Sequence, residues 1–220
     1  NDRGYIPRTT ATSPSLEEHG TILAQQRVPF MTYPAEWPAP AWGDAALRFI
    51  DLNLLLADHG LTTCDGHAWN IGFDGPTPRF IDIGSFTPLS NADRAGMLAE
   101  FRASFLNPLR LMAAGERRIV RRLTRDLIHG VSDREFQSLH FSHESSAHWL
   151  RRGVTGLAKA SLPRAVKRPL RQLGKRLVNR GSAASPTAAT IEEWKRQLRT
   201  LRESIESIAI DSPPTPWAHY

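Results

Sequence analysis

The chain has 220 residues, 40% hydrophobic and 8% aromatic, with 28 Lys and Arg against 22 Asp and Glu for a net charge of +6. That is enough apolar material for one domain with a sizeable core, or a domain with a helical appendage. No apolar run approaches the roughly 18 residues that cross a bilayer, and no signal-peptide pattern opens the chain, so a cytoplasmic location is the expectation. The single cysteine, Cys64, excludes an internal disulfide and fits a reducing compartment. Charge is uneven: residues 1–100 hold six of the Lys and Arg and the remainder hold twenty-two, so the two halves are expected to do different work.

The first residue is Asn1 rather than Met, and residues 1–14 carry no core pattern of their own, which suggests a piece of a longer protein. Ser15 with Glu18 is a capping-box pattern for a short helix. Arg27–Tyr33 reads as a strand, placed at a sheet edge by Pro29. Pro34–Pro40 reads as a stiff connector containing Glu36 and Trp37. A helix then runs from about Trp42 to His59, with Ala46, Leu47, Ile50 and Leu54 at helical spacing and Gly60 as its stop.

The stretch Asp65–Phe86 follows. Ile71–Phe73 and Arg79–Ile83 read as the two strands of a hairpin, joined by turn residues over Asp74–Thr77. Asp65 and Asn70 precede the hairpin. Asp82 lies in its second strand, opposed in direction to Ile81 and Ile83. Asp and Asn also cap turns, and each residue alone carries that reading. The order of all three around one hairpin points instead to phosphoryl transfer, where an acid near the acceptor and an Asn–Asp pair on magnesium recur at such spacing.

The segment resembles kinases of the aminoglycoside phosphotransferase type, with Asp65-Gly66-His67 in place of the longer protein-kinase loop. The resemblance implies Asp65 as the catalytic base and Asn70 and Asp82 as ligands of magnesium, with His67, Gly84 and Glu36 in support. Thr63 and Cys64 depart from the family, which has a His before its catalytic Asp. A strand, a connector and a long helix ahead of Asp65 match the passage from small to large lobe in such folds. The fold expected is α+β: a protein-kinase-like large lobe, mostly helical with a small catalytic hairpin, plus a C-terminal helical extension.

Residues 27–113 also resemble the segment preceding the methyltransferase domain in a family of bacterial S-adenosylmethionine-dependent methyltransferases. The likeness rests on Tyr33-Pro34-Ala35-Glu36-Trp37, on the step from Asp65 to Asn70, on Ile81-Asp82-Ile83-Gly84-Ser85-Phe86 and on Phe105-Leu106-Asn107-Pro108-Leu109. It implies an attached methyltransferase domain, with S-adenosylmethionine bound downstream and not by these residues.

Beyond the hairpin, Asn91–Gly115 reads as a helix divided or kinked at Pro108, and residues 117–129 as a third. Ser132 with Glu135 is a capping pair for a fourth. His140, His143 and His148 share no metal-ligand spacing on a helix face, so exposed or hydrogen-bonded histidines are expected. Residues 151–180 hold ten basic residues and no acidic ones. They read as a solvated connector, with an anionic membrane surface as the functional alternative. Without aromatic interleaving, nucleic-acid binding is not expected. Residues 181–190 read as a linker, and Thr190 with Glu193 as the cap of a last helix whose apolar face is Trp194, Leu198, Leu201, Ile205 and Ile208.

The domains expected are therefore a kinase-like unit over 1–150, a basic connector and linker over 151–190, and a helix leading toward a further domain over 191–220. Three functions compete. The first is a pseudokinase accessory region that positions a small-molecule or glycan substrate for methyl transfer. The second is an ATP- and magnesium-dependent phosphotransferase, and the third is a membrane-surface adaptor.

Overall fold

The computed structural model describes residues 4–12, 22–126, 130–143 and 186–210. Its elements are β1 (Thr9–Ala11), β2 (Leu23–Gln25), α1 (Ala39–Ala57), β3 (Leu61–Thr63), β4 (Ile71–Asp74), β5 (Thr77–Phe80), β6 (Phe86–Pro88), α2 (Asn91–Phe101), α3 (Asn107–Ala113), α4 (Arg117–Asp126), α5 (Asp133–His143) and α6 (Ala188–Glu206). Three two-stranded antiparallel sheets form among the described residues: β1 with β2, β3 with β6 and β4 with β5.

Helix α1 is the spine. Trp42, Ala45, Ala46, Phe49 and Ile50 are all buried along it, and Phe49 is the hub of an aromatic cluster. Its ring lies 5.8 Å from Phe80 of β5, 5.6 Å from Phe101 of α2 and 5.7 Å from Phe105, centroid to centroid. Hairpin, spine and the helices beyond thus share one core. Such tilted aromatic contacts add to the area they bury.

One polar side chain interrupts this apolar stripe. Asn53 is fully buried, and its Oδ1 accepts from the Thr62 hydroxyl at 2.9 Å and the Thr63 N–H at 3.1 Å. Its Nδ2 donates to the Phe49 carbonyl at 3.2 Å and to Thr63 Oγ1 at 3.3 Å. A buried amide is tolerated only when so satisfied. Here the satisfaction fixes β3 against α1.

The expected strand over Arg27–Tyr33 does not form, and the pairing strand is Leu23–Gln25. Pro29 has no N–H to donate, and Phe30 and Met31 are exposed, so the segment gains little from a ladder. Pro34–Glu36 is a 3₁₀ turn, and α1 begins at Ala39 rather than Trp42 because Pro40 sits in its first turn, where a missing N–H costs nothing.

The division near Pro108 is present in another form. Helix α2 passes through a π-helical turn at Arg102–Leu106 into α3, with Pro108 in the first turn of α3. The wider turn aims the Ala103 carbonyl outward, where the Val131 N–H meets it at 2.7 Å. The Ser132 and Glu135 capping box is present, with Glu135 accepting from the Ser132 N–H at 2.8 Å. The last helix starts at Ala188, and its cap is Thr187, whose side chain accepts from the Thr190 N–H. Thr190 is the residue capped.

Helix α6 packs along α1 with Trp194, Leu198 and Ile205 buried, flanked by ion pairs of Lys195 with Asp58 and Arg202 with Asp51. Asp58 raises the pKa of Lys195. The Ser15–Glu18 pattern, the segment 151–180, the linker up to residue 185 and the side chains of His140, His143 and His148 lie outside the described residues.

Replacing Asn53 by Leu strands the Thr63 N–H and the Thr62 hydroxyl at the buried end of β3. Asn53→Leu is expected to lower unfolding stability by about 2–3 kcal/mol in urea titration. The exposed Arg196→Ala is expected to stay within about 0.5 kcal/mol of the parent.

Candidate functional site

The site is assembled by strand pairing. The register of β3 with β6 sets Leu61 opposite Pro88, Thr62 opposite Thr87 and Thr63 opposite Phe86. The Cys64 N–H continues it onto the Ser85 carbonyl at 2.8 Å. The loop that begins at Asp65 therefore leaves the ladder directly beside the Asp82–Ser85 turn.

A second contact brings in Asn70. The Ile81 N–H donates to the Asn70 carbonyl at 2.9 Å, extending the β4–β5 ladder in which Ile71 faces Phe80. Asp65, Asn70 and Asp82 thus share one end of two short sheets. The ladders bring the backbone segments that carry these residues alongside one another.

The three differ in surroundings. Asn70 is 7% exposed, while Asp65 and Asp82 are half-buried. Asn70 Nδ2 is buried with no hydrogen-bond partner among the described residues, as is His67 Nδ1. Asp82 lies just past β5, which ends at Phe80, rather than inside a strand reaching Ile83. Its carbonyl accepts from the Ser85 hydroxyl at 2.8 Å and the Ser85 N–H at 3.2 Å, closing a 3₁₀ turn over Ile83–Ser85. Gly84 is exposed in that turn, and a Cβ on it would come 3.3 Å from Asp82 Oδ1.

Gly66 is held most tightly. A Cβ there would meet the Met97 carbonyl oxygen at 2.3 Å and the Phe101 nitrogen at 2.8 Å, both backbone atoms of α2. The Gly66 N–H donates to Glu100 Oε2 at 3.0 Å. The absent side chain lets the loop lie flat on α2, and Glu100 ties it there. Nothing in the sequence around Glu100 or Asn53 marks them for this work, because each acts on a partner distant along the chain or across two elements.

Glu36 ends the Pro34–Glu36 turn. Its Oε2 accepts from the Tyr33 N–H at 2.8 Å and closes its own turn. Neighbouring Trp37 is buried, donates from Nε1 to Thr32 Oγ1 at 2.9 Å and packs on Trp42 and Phe73. The Tyr-Pro-Ala-Glu-Trp string is thus a capped turn with an aromatic anchor.

Among the described residues, no three or more His, Cys, Asp and Glu side chains come together as a metal site. The set around Asp65 has two carboxylates and an amide. These are oxygen donors, of the kind a hard divalent cation takes.

In comparison with known proteins, the chain is 33% identical over 115 residues to nodulation protein NoeA of Rhizobium meliloti (strain 1021), a match covering 50% of this chain and 24% of NoeA. The chain thus spans about a quarter of the length of that relative. No family model matches the sequence. No solved structure matches it either.

The two glycine environments separate packing from propensity. Gly66→Ala is expected to cost about 1–3 kcal/mol, because backbone atoms of α2 must move. Gly96, in the exposed part of α2 with nothing within 4 Å of a built Cβ, should behave oppositely. Gly96→Ala is expected to gain roughly 0.5–1 kcal/mol, and chemical denaturation of both variants checks the contrast.

Proposed function

We propose that this region is a kinase-like accessory unit of a longer S-adenosylmethionine-dependent methyltransferase, in which it positions a small-molecule or glycan substrate for methyl transfer. The observation that carries the reading is that the β3–β6 and β4–β5 ladders, with the Cys64–Ser85 and Ile81–Asn70 backbone bonds, bring the segments of Asp65, Asn70 and Asp82 alongside one another. The similarity to NoeA over a quarter of that protein supports a part of a larger assembly.

Two carboxylates and an amide are oxygen donors of the kind that Mg²⁺ bound with a nucleotide takes. Asn70, through Oδ1, and Asp82 would hold the cation, and the Nδ2 donor of Asn70, which has no partner among the described residues, would be left for an acceptor such as a phosphate oxygen. When bound, the cation would neutralise charge on phosphate oxygens. Asp65, on the loop fixed by Gly66 and Glu100, would accept a hydrogen bond from a substrate hydroxyl and orient it.

The same convergence favours a second reading, an active phosphotransferase in which Asp65 also takes the proton of that hydroxyl as the phosphoryl group arrives. The membrane-surface alternative belongs to residues 151–180 and draws on none of this geometry.

Calorimetric titration of ATP, with and without magnesium, into the chain and its Asp82→Asn variant tests the magnesium site. The expected result is magnesium-dependent binding that weakens at least tenfold in the variant. Absence of magnesium-dependent binding in both proteins would remove that role from Asp82. ATP turnover abolished by Asp65→Ala would favour the phosphotransferase. In the full-length protein containing this region, Asp65→Ala is expected to raise KM for the methyl acceptor without altering S-adenosylmethionine binding. An unchanged acceptor KM would contradict substrate positioning.

A further inference from the structure

A cleft of about 500 Å³ opens between the Pro34–Glu36 turn, Trp69 and α4. Its basic wall is Arg121, Arg122 and Arg125, and its opposite wall includes Tyr33, Glu36 and Trp69. The arginines are exposed on α4, whose other side buries Val120 and Thr124. Adjacent like charges at three- and four-residue spacing oppose helix formation. Among the described residues none of the three is engaged in an ion pair. Glu36 lines the same cleft with its Oε2 accepting from the Tyr33 N–H, and its one negative charge against three arginines leaves an excess of positive charge there.

The aromatic wall is also built. Tyr33 and Trp69 lie 5.5 Å apart, centroid to centroid, with their planes tilted by 46°. Tyr33 is 52% exposed, a large ring left at the surface beside concentrated positive charge. Guanidinium groups grip phosphate through paired N–H donors, whereas aromatic faces accept the apolar face of a ring. The cleft volume lies within the range of small-molecule sites.

We propose that this cleft binds a phosphorylated sugar, free or as part of a nucleotide, with the phosphate on Arg121, Arg122 and Arg125 and the sugar ring against Tyr33 and Trp69. The site is separate from the magnesium reading. It uses none of Asp65, Asn70 or Asp82, so its test runs without divalent cation.

The experiment is calorimetry on the whole chain at low ionic strength in EDTA, with four probes: glucose 6-phosphate, uridine monophosphate, inorganic phosphate and glucose. At least one of the first two should bind saturably, and the tighter one identifies the source of the sugar phosphate. Inorganic phosphate and glucose should each bind at least tenfold more weakly than that probe. The double variant Arg121→Ala, Arg125→Ala should lose at least tenfold in affinity, as should Trp69→Ala. Arg134→Ala, on α5 outside the cleft, should bind like the parent, which controls for overall charge. Circular dichroism checks that the variants fold, and Arg122→Gln supplies a milder change that should still weaken binding severalfold. Failure of both sugar phosphates to bind, affinity unchanged in the folded arginine variants, or inorganic phosphate binding as tightly as the sugar phosphates would overturn the proposal.

Discussion

The fold and the candidate site both depend on a single buried amide. Asn53 stands where a helix of this kind would carry another leucine, and it is kept in the core by four hydrogen-bonding groups from β3 and its own helix. An apolar residue would pack, but it would not specify which strand lies there or in which register. The amide does, because the Thr62 hydroxyl and the Thr63 N–H both meet its Oδ1 in this register. Since β3 pairs with β6, fixing one fixes the other, and the loops leaving both strands inherit their positions. Three-residue strands have few ladder bonds of their own, so this side-chain anchor carries an unusual share of the register.

Around that anchor the apolar terms act in the same direction. Phe49 gathers the hairpin through Phe80 and the later helices through Phe101 and Phe105. On the far side of α1, Trp194 and Leu198 of α6 close the core, with ion pairs at its margin. Those pairs are partly exposed and screened by solvent, so they orient α6 more than they hold it. Its apolar stripe provides the attachment.

The long, periodic elements were legible in the sequence. The helical stripe of α1, the division of the helix near Pro108, the Ser132–Glu135 box and the apolar face of α6 all follow from local patterning. The hairpin was legible too, because Asp74-Gly75-Pro76 leaves little choice of turn, and Gly75 takes the left-handed conformation such a turn needs. What failed was local: Arg27–Tyr33 has strand-like residues, but the structure leaves several of them exposed without a partner strand. Thr190 and Thr187 are equally good caps by composition, and only the chain path selects Thr187.

Around the candidate site, the sequence marked residues by their order along the chain and not by what holds their loops. Asp65, Asn70 and Asp82 could be named from their order around a hairpin. Glu100 and Asn53 could not, since their partners lie 34 and about ten residues away and each resembles an ordinary helix residue. The arginine wall of α4 was visible as a basic helix. Its opposition to Tyr33 and Trp69 arises only when the Pro34–Glu36 turn docks on α4.

The most direct test of the account is whether Asp65, Asn70 and Asp82 form one cation-binding site. Mn²⁺ takes the same oxygen ligands as Mg²⁺ and broadens the NMR signals of nearby nuclei. Titrated into ¹⁵N-labelled protein, it is expected to broaden amides over residues 64–70 and 81–85 together, at the same metal concentration. Broadening confined to one of the two loops, or centred elsewhere, would contradict the convergence of these residues in a single site.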